Sequence, residues 1–149
     1  MKRGTYRARA VVLNSIDYGE SDRILTFYTL EKGKLSGIAK GARRSRKRFV
    51  GNLDPLSHIN IIYFHNDKSD LVRIEDASLI DAFSILKTDI ERLTDGCYLL
   101  ELTSELTREG QPLPAAYHSL VAFLKLLEAG AGDEALRFFE IKLLDQSGY

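Results

Sequence analysis

Up to about Asp81 the chain reads as short segments of strand character; beyond it the apolar residues recur at helical spacing. Thr5 to Ile16 sets Tyr6, Ala8, Ala10 and Val12 opposite Arg7, Arg9 and Val11, the period of two that a strand imposes. Arg23 to Leu30 is rich in Thr, aromatic and branched residues and forms a second strand. The turn Glu31-Lys32-Gly33-Lys34 leads into a third, Leu35 to Lys40. The breakers Gly51-Asn52-Leu53-Asp54-Pro55 precede a fourth strand, Leu56 to His65, and a turn at Asn66–Ser69 precedes a fifth, Asp70 to Ala82. Five short strands with turns between them favour a small barrel or sandwich. A barrel leaves no exposed sheet edge, so a five-stranded OB-fold is the leading expectation for residues 1–82.

Residues 83–149 are expected to form a small, incomplete all-α domain. Thr88 to Thr107 aligns Ile90, Leu93, Cys97, Leu100 and Ser104 in one stripe, and Thr88 with Glu91 reads as a capping box. Gly110-Gln111-Pro112-Leu113-Pro114 ends that helix and opens the next, with Pro114 in its first turn. Ala115 to Ala129 carries Leu120, Phe123, Leu124 and Leu127, closed by Gly130. Asp133 is expected to cap a third helix, with Leu136, Phe139, Ile141 and Leu143/Leu144 inside. The ending LLDQSGY, with Gly148 as a helix cap, reads as a chain interrupted before its natural end.

The zero net charge hides a division. Residues 1–80 hold 15 Lys/Arg against 9 Asp/Glu, and residues 81–149 hold 6 against 12. The first region is therefore the one drawn to anions. An apolar content of 44% supports a core. No apolar run approaches the ~20 residues of a membrane span, and no apolar stretch follows the N-terminal cations as a signal peptide requires, so a cytoplasmic location is expected.

Catalytic chemistry is not legible. The text GKLSGIAKGARRS lacks the spacing of a nucleotide-binding G-x-x-x-x-G-K-[ST] loop. Asp17, Glu20 and Asp22 read as a turn around Gly19 held by nearby cations. His58, His65 and His118 share no zinc-ligand spacing, and Cys97 reads as a buried, inert thiol. No enzyme and no cofactor are expected in this chain.

The run KGARRSRKRF places Lys40, Arg43, Arg44, Arg46, Lys47 and Arg48 within nine residues with no acid between them. Like charges repel, and a purely structural loop has no reason to gather them. With Arg7, Arg9, Lys32 and Lys34 they belong to 13 cations against 4 acids in residues 1–50. Those cations are expected to grip nucleic-acid backbone without regard to sequence. Single strands also need aromatic platforms. Among Tyr6, Tyr18, Phe27, Tyr28, Phe49, Tyr63 and Phe64, Phe49 is the leading stacking candidate, with packing against the barrel as its alternative. An RNA-binding module and a scaffold whose basic loop docks an acidic protein are the competing readings.

The order VLNSIDYGESDRILTFYTLEKGKLSGIAKGARRSRKRF, then LDPLSHINIIYF, resembles the N-terminal region of the RecO family of recombination mediators. The segments Tyr18–Asp22, Thr29–Leu35 and Lys40–Arg44 carry the likeness, and FEIKLLDQSGY is similar to the family's helical segment. The resemblance implies an OB-fold followed by helices, binding of single- and double-stranded DNA, and annealing of complementary strands. It also implies partnership with RecR and single-stranded-DNA-binding protein, indirect work with RecA, and a place at the bacterial nucleoid. Many members carry a four-cysteine zinc module further on; with Cys97 as the only cysteine, no zinc is expected here.

Overall fold

A computed structural model describes residues 1–44, 49 and 51–149. Five strands, β1 (Gly4–Tyr18), β2 (Asp22–Thr29), β3 (Gly33–Ala39), β4 (His58–His65) and β5 (Val72–Asp81), close into a barrel in the order β1-β2-β3-β5-β4. All pairings are antiparallel except β3 with β5, which meet in parallel through Gly37–Val72 and Ile38–Arg73. The barrel interior follows from the alternation. Ala8, Ala10 and Val12 of β1, Leu25 and Phe27 of β2, Leu35 and Ala39 of β3, Ile59, Ile61 and Tyr63 of β4, and Val72, Ile74 and Ala77 of β5 all point inward. Small residues face large ones across so narrow a barrel. Gly37 shows the limit, because a Cβ there would lie 2.9 Å from Ile74 Cδ1.

Four helices follow among the described residues: α1 (Ser84–Thr88), α2 (Ile90–Leu106), α3 (Pro114–Glu128) and α4 (Asp133–Gln146). The short α1 escaped the periodicity because one turn is too short to show a period. Its start is fixed by Phe83, fully buried in a left-handed conformation, whose N–H donates to Asp81 Oδ1 at 2.8 Å. The cap of α2 is Asp89 rather than a Thr88–Glu91 box, since the Asp89 carboxylate accepts from the Glu91 and Arg92 amides. Gly132, not Asp133, caps α4.

The buried stripe of α2 is also rotated from the expected one. Gly96, Leu99, Leu100 and Thr103 face the core, while Ile90 and Cys97 are exposed. Gly96 sits so close to Leu56 and Leu86 that a side chain there would press on both. Thr103 tolerates burial because its hydroxyl donates to the Leu99 carbonyl at 2.8 Å. On α4, Leu136, Phe139 and Leu143 are buried, but Ile141 (65% exposed) and Leu144 (41%) face outward.

The barrel and the helices share one core. Val11, Leu13, Tyr28 and Leu56, which point away from the barrel interior, pack with Phe83, Leu99, Tyr117, Leu120 and Phe139. This explains the run Val11-Val12-Leu13, where alternation stops because both faces of β1 are covered. Gly33 marks the closest approach. Its φ of +71° is a conformation that glycine adopts without penalty, and a Cβ would lie 2.2 Å from the Gln111 carbonyl oxygen. Gly33→Ala is expected to cost about 2–4 kcal/mol from backbone strain and overpacking. An unchanged urea midpoint would mean that the α2–α3 connection is not seated on β3.

His58 lies in the same seam, sharing a hydrogen bond with the Tyr117 hydroxyl. Burial pushes its pKa below the ordinary 6.5, with Lys125 and Arg9 acting the same way and Asp81 opposing them. Below about pH 6.5 the unfolded chain therefore takes a proton that the folded chain refuses. Stability is expected to fall as the pH drops through that value towards the lower folded pKa. Urea midpoints at about pH 7.5 and about pH 5.5 should differ less in His58→Gln than in the parent if this histidine is responsible.

Candidate nucleic-acid interface

The outward-facing residues of the barrel fall into rows across the strands. Tyr28 and Lys34 form one row, Asn14, Thr26 and Ser36 the next, and Ile16, Ile24 and Ile38 the third. The helices cover the first row. Lys34 Nζ donates to the Ser104 carbonyl at 2.6 Å, the Gly110 amide donates to the Lys34 carbonyl at 3.0 Å, and Tyr28 is fully buried. Burial pushes the Tyr28 hydroxyl up to about 12. The second row is bordered by Glu109, which accepts from the Ser36 hydroxyl at 2.6 Å. The third row is open at its β1 end, where Ile16 is 52% exposed and Tyr18, beyond it, 54%, while Ile24 and Ile38 are partly buried.

That third row continues around the barrel. Ile38 pairs with Arg73 of β5, and Arg73 pairs with Phe64 of β4. The Arg73 and Arg3 guanidiniums lie 5.3 and 5.7 Å from the centre of the Phe64 ring. The row thus crosses all five strands, apolar on β1, β2, β3 and β4 but carrying on β5 the exposed Arg73, which pairs with Glu75 at 3.0 Å; Tyr18 lies near one end and Phe64 at the other. The signal for it was present in β2 and β3, where Ile24 and Ile38 alternate with the buried Leu25, Gly37 and Ala39.

The basic run leaves β3 beside this row. Its first residues fold back on the β1–β2 turn. The Arg43 amide donates to the Ser21 carbonyl at 3.0 Å, the Gly41 amide donates to Asp22 Oδ1 at 2.8 Å, and Arg43 Nη1 donates to the Gly19 and Glu20 carbonyls. Asp17 pairs with Arg23 and Arg43, and Glu20 with Arg44 at 4.0 Å. The three acids around Gly19 therefore tie the turn to the loop, as the turn reading expected.

The predicted cations do not all stand free. Arg9 donates to Glu31 at 3.2 Å, Lys34 serves the helical contact, and Lys32 lies 5.4 Å from the Tyr6 ring centre. Arg43 is largely a clamp. Arg7 and Lys40 make no ion pair among the described residues, and the Arg44 side chain is 71% exposed. Arg7 and Arg9 also line a shallow groove of about 410 Å³ with Asn60, Ile62, Asp76 and Ser78, on a different side of β1 from the loop. Arg46, Lys47 and Arg48 lie outside the described residues.

Phe49 is corrected as a stacking candidate. It is 5% exposed and belongs to the barrel core, so it offers no ring face to a base. It is the large apolar residue that ends a polar run, and the barrel buries it. Cys97 is corrected in the other direction: the rotation of α2 leaves it exposed, beside Leu13, Pro55, Leu100 and Glu101.

Closure in this strand order, with a parallel β3–β5 contact, defines an OB-fold barrel, here fused through a common core to a helical unit. Residues 1–83 match the family model "Recombination protein O N terminal" and residues 87–149 match "Recombination protein O C terminal". The chain belongs to the RecO family. It is 41% identical over 139 residues to the DNA repair protein RecO of Anaeromyxobacter sp. (strain K), covering 93% of this chain and 55% of that protein. It is 42% identical over 141 residues to that of Syntrophotalea carbinolica, covering 94% and 55%. With the protein from Syntrophus aciditrophicus it shares 36% over 148 residues, covering 99% and 57%. The chain thus spans about half the length of the curated relatives it matches.

Proposed function

We propose that this chain is the DNA-holding part of a repair and recombination protein. It binds single- and double-stranded DNA through backbone contacts and brings complementary strands together without enzymatic chemistry. Its partners, by the family likeness, are RecR and single-stranded-DNA-binding protein, with RecA served indirectly. Its place is the bacterial cytoplasm at the nucleoid; no described helix is long and apolar enough to cross a membrane.

The observation that carries this reading is the convergence of the Lys40–Arg44 segment on the β1–β2 turn, at the open end of the outer barrel face. This brings cations to the rim of the β2–β3 face, where OB-folds take oligonucleotides. Neutralising phosphates there lowers the repulsion between two strands and leaves base edges free to pair. Annealing of labelled complementary strands, without nucleotide triphosphate or metal, is the test. The rate should rise with protein concentration and fall as salt rises. No acceleration at any salt concentration would remove the annealing role, and a strong preference for RNA over DNA in competition would move the chain to RNA.

A further inference from the structure

We infer that the groove on the outer β1–β4–β5 face, with Arg7 and Arg9 on one side and Asp76 and Ser78 on the other, is a site for a free guanine nucleotide. This goes beyond the proposed hold on DNA and does not rest on it, because the groove lies on a different side of β1 from the basic loop.

The strand register builds the groove as a grid. Arg7 pairs with Ile62 and Ile62 with Asp76; Arg9 pairs with Asn60 and Asn60 with Ser78. Ala8, Ile61 and Ala77, which alternate with them, point into the barrel, so these six residues share the outer face. Cations therefore stand on β1, an amide and an aliphatic side chain on β4, and a carboxylate and a hydroxyl on β5. The groove holds about 410 Å³, inside the ~300–1,000 Å³ range of small-ligand sites. Arg7, Asn60, Asp76 and Ser78 are exposed, and their side chains make no hydrogen bond or ion pair among the described residues. Glu31 accepts from the Arg9 amide at 2.7 Å and from Arg9 Nε at 3.2 Å. That contact holds the Arg9 guanidinium in place and leaves its two Nη groups for a ligand.

The order of charges selects the occupant. A polyanion would bring phosphates against Asp76, and an acidic peptide would bring carboxylates there. The ligand that fits is anionic over β1 and rich in N–H donors over β5. Guanidiniums take phosphate oxygens in pairs. A carboxylate accepts from the N–H groups of a base edge. Guanine offers two adjacent donors on one edge, N1–H and the exocyclic N2 amine, which match the two oxygens of Asp76. Two strand spacings separate β1 from β5, about 9.6 Å. A nucleotide laid across them sets its phosphates on Arg7 and Arg9, its sugar over Ile62 and Asn60, and its base edge against Asp76.

The test is fluorescence anisotropy with ribose-labelled guanosine diphosphate, displaced by unlabelled guanosine or inosine diphosphate. The inosine form lacks only the N2 amine. The parent chain should bind the labelled nucleotide saturably with a Kd below about 1 mM, and should prefer guanosine over inosine diphosphate by about 5- to 100-fold. Arg7→Ala should weaken both by about 10-fold or more. Asp76→Asn should erase the preference while keeping the inosine affinity. Both positions are exposed, so the urea midpoint should stay with the parent's. Lys40→Ala with Arg44→Ala should leave nucleotide binding unchanged, which separates this groove from the DNA rim. No saturable binding would overturn the site, as would affinities unmoved by Arg7→Ala and Asp76→Asn. Loss of nucleotide binding in the Lys40/Arg44 variant would also overturn it, by placing the nucleotide on the rim. Equal affinity for the two nucleotides would overturn guanine as the base. Binding of a 5′-phosphorylated oligonucleotide through Arg7 without any binding of guanosine diphosphate would overturn the free nucleotide in favour of a strand end.

Discussion

Phe49→Ala should destabilise the protein by about 3–5 kcal/mol while leaving the DNA affinity of the folded fraction within about twofold of the parent. Phe49 is buried in the same core as Phe27, Tyr63 and Ile74. Removing a large aromatic from a closed barrel leaves a void that rigid strands cannot collapse into. A loss of this size is a large part of the whole stability of a domain. It is read from urea transitions, with anisotropy on the folded protein as the second measurement. Unchanged stability with a sharp loss of DNA binding would return Phe49 to the role of a stacking residue.

The second large effect concerns the basic loop. Lys40, Arg44 and Arg46 changed together to Ala should weaken single-strand binding about 100-fold at ~0.1 M salt and flatten the log–log salt slope by about 2. Arg43 is left in place deliberately. Its guanidinium holds the Gly19 and Glu20 carbonyls and Asp17, so its loss would loosen the turn as well as remove a charge. The weakening should be the same for strands of different sequence, because phosphates carry no sequence information. A loss confined to some sequences would mean that these residues read bases.

The five strands and their inward faces were legible because each carries its own alternation. Ala8, Ala10 and Val12 or Leu25 and Phe27 announce a buried side without any partner strand. Barrel closure was not spelled out in the same way, because it rests on two parallel pairs, Gly37–Val72 and Ile38–Arg73, between segments far apart in sequence. The helical register was misread where a glycine and a threonine, Gly96 and Thr103, turned inward in place of Ile90 and Cys97. Packing distance decided that, not hydrophobicity.

The candidate site was legible as charge but not as geometry. Counting cations overlooks Glu31, Asp17 and the Ser104 carbonyl, which occupy Arg9, Arg43 and Lys34. Those partners come from other turns and another structural unit, so the charge density of a run overstates what it offers a ligand. Tyr18 was visible in the sequence as one aromatic among seven. Only the register that lines up Ile16, Ile24 and Ile38 next to it gives it a surface to belong to.

The central claim is that this barrel holds DNA by its phosphates. Its most direct test is the salt dependence of single-strand binding by the unaltered chain. About five phosphate contacts give a slope of log Kobs against log salt near −4, the same for strands of differing sequence. A slope near zero, or slopes that change with sequence at constant length, would contradict it.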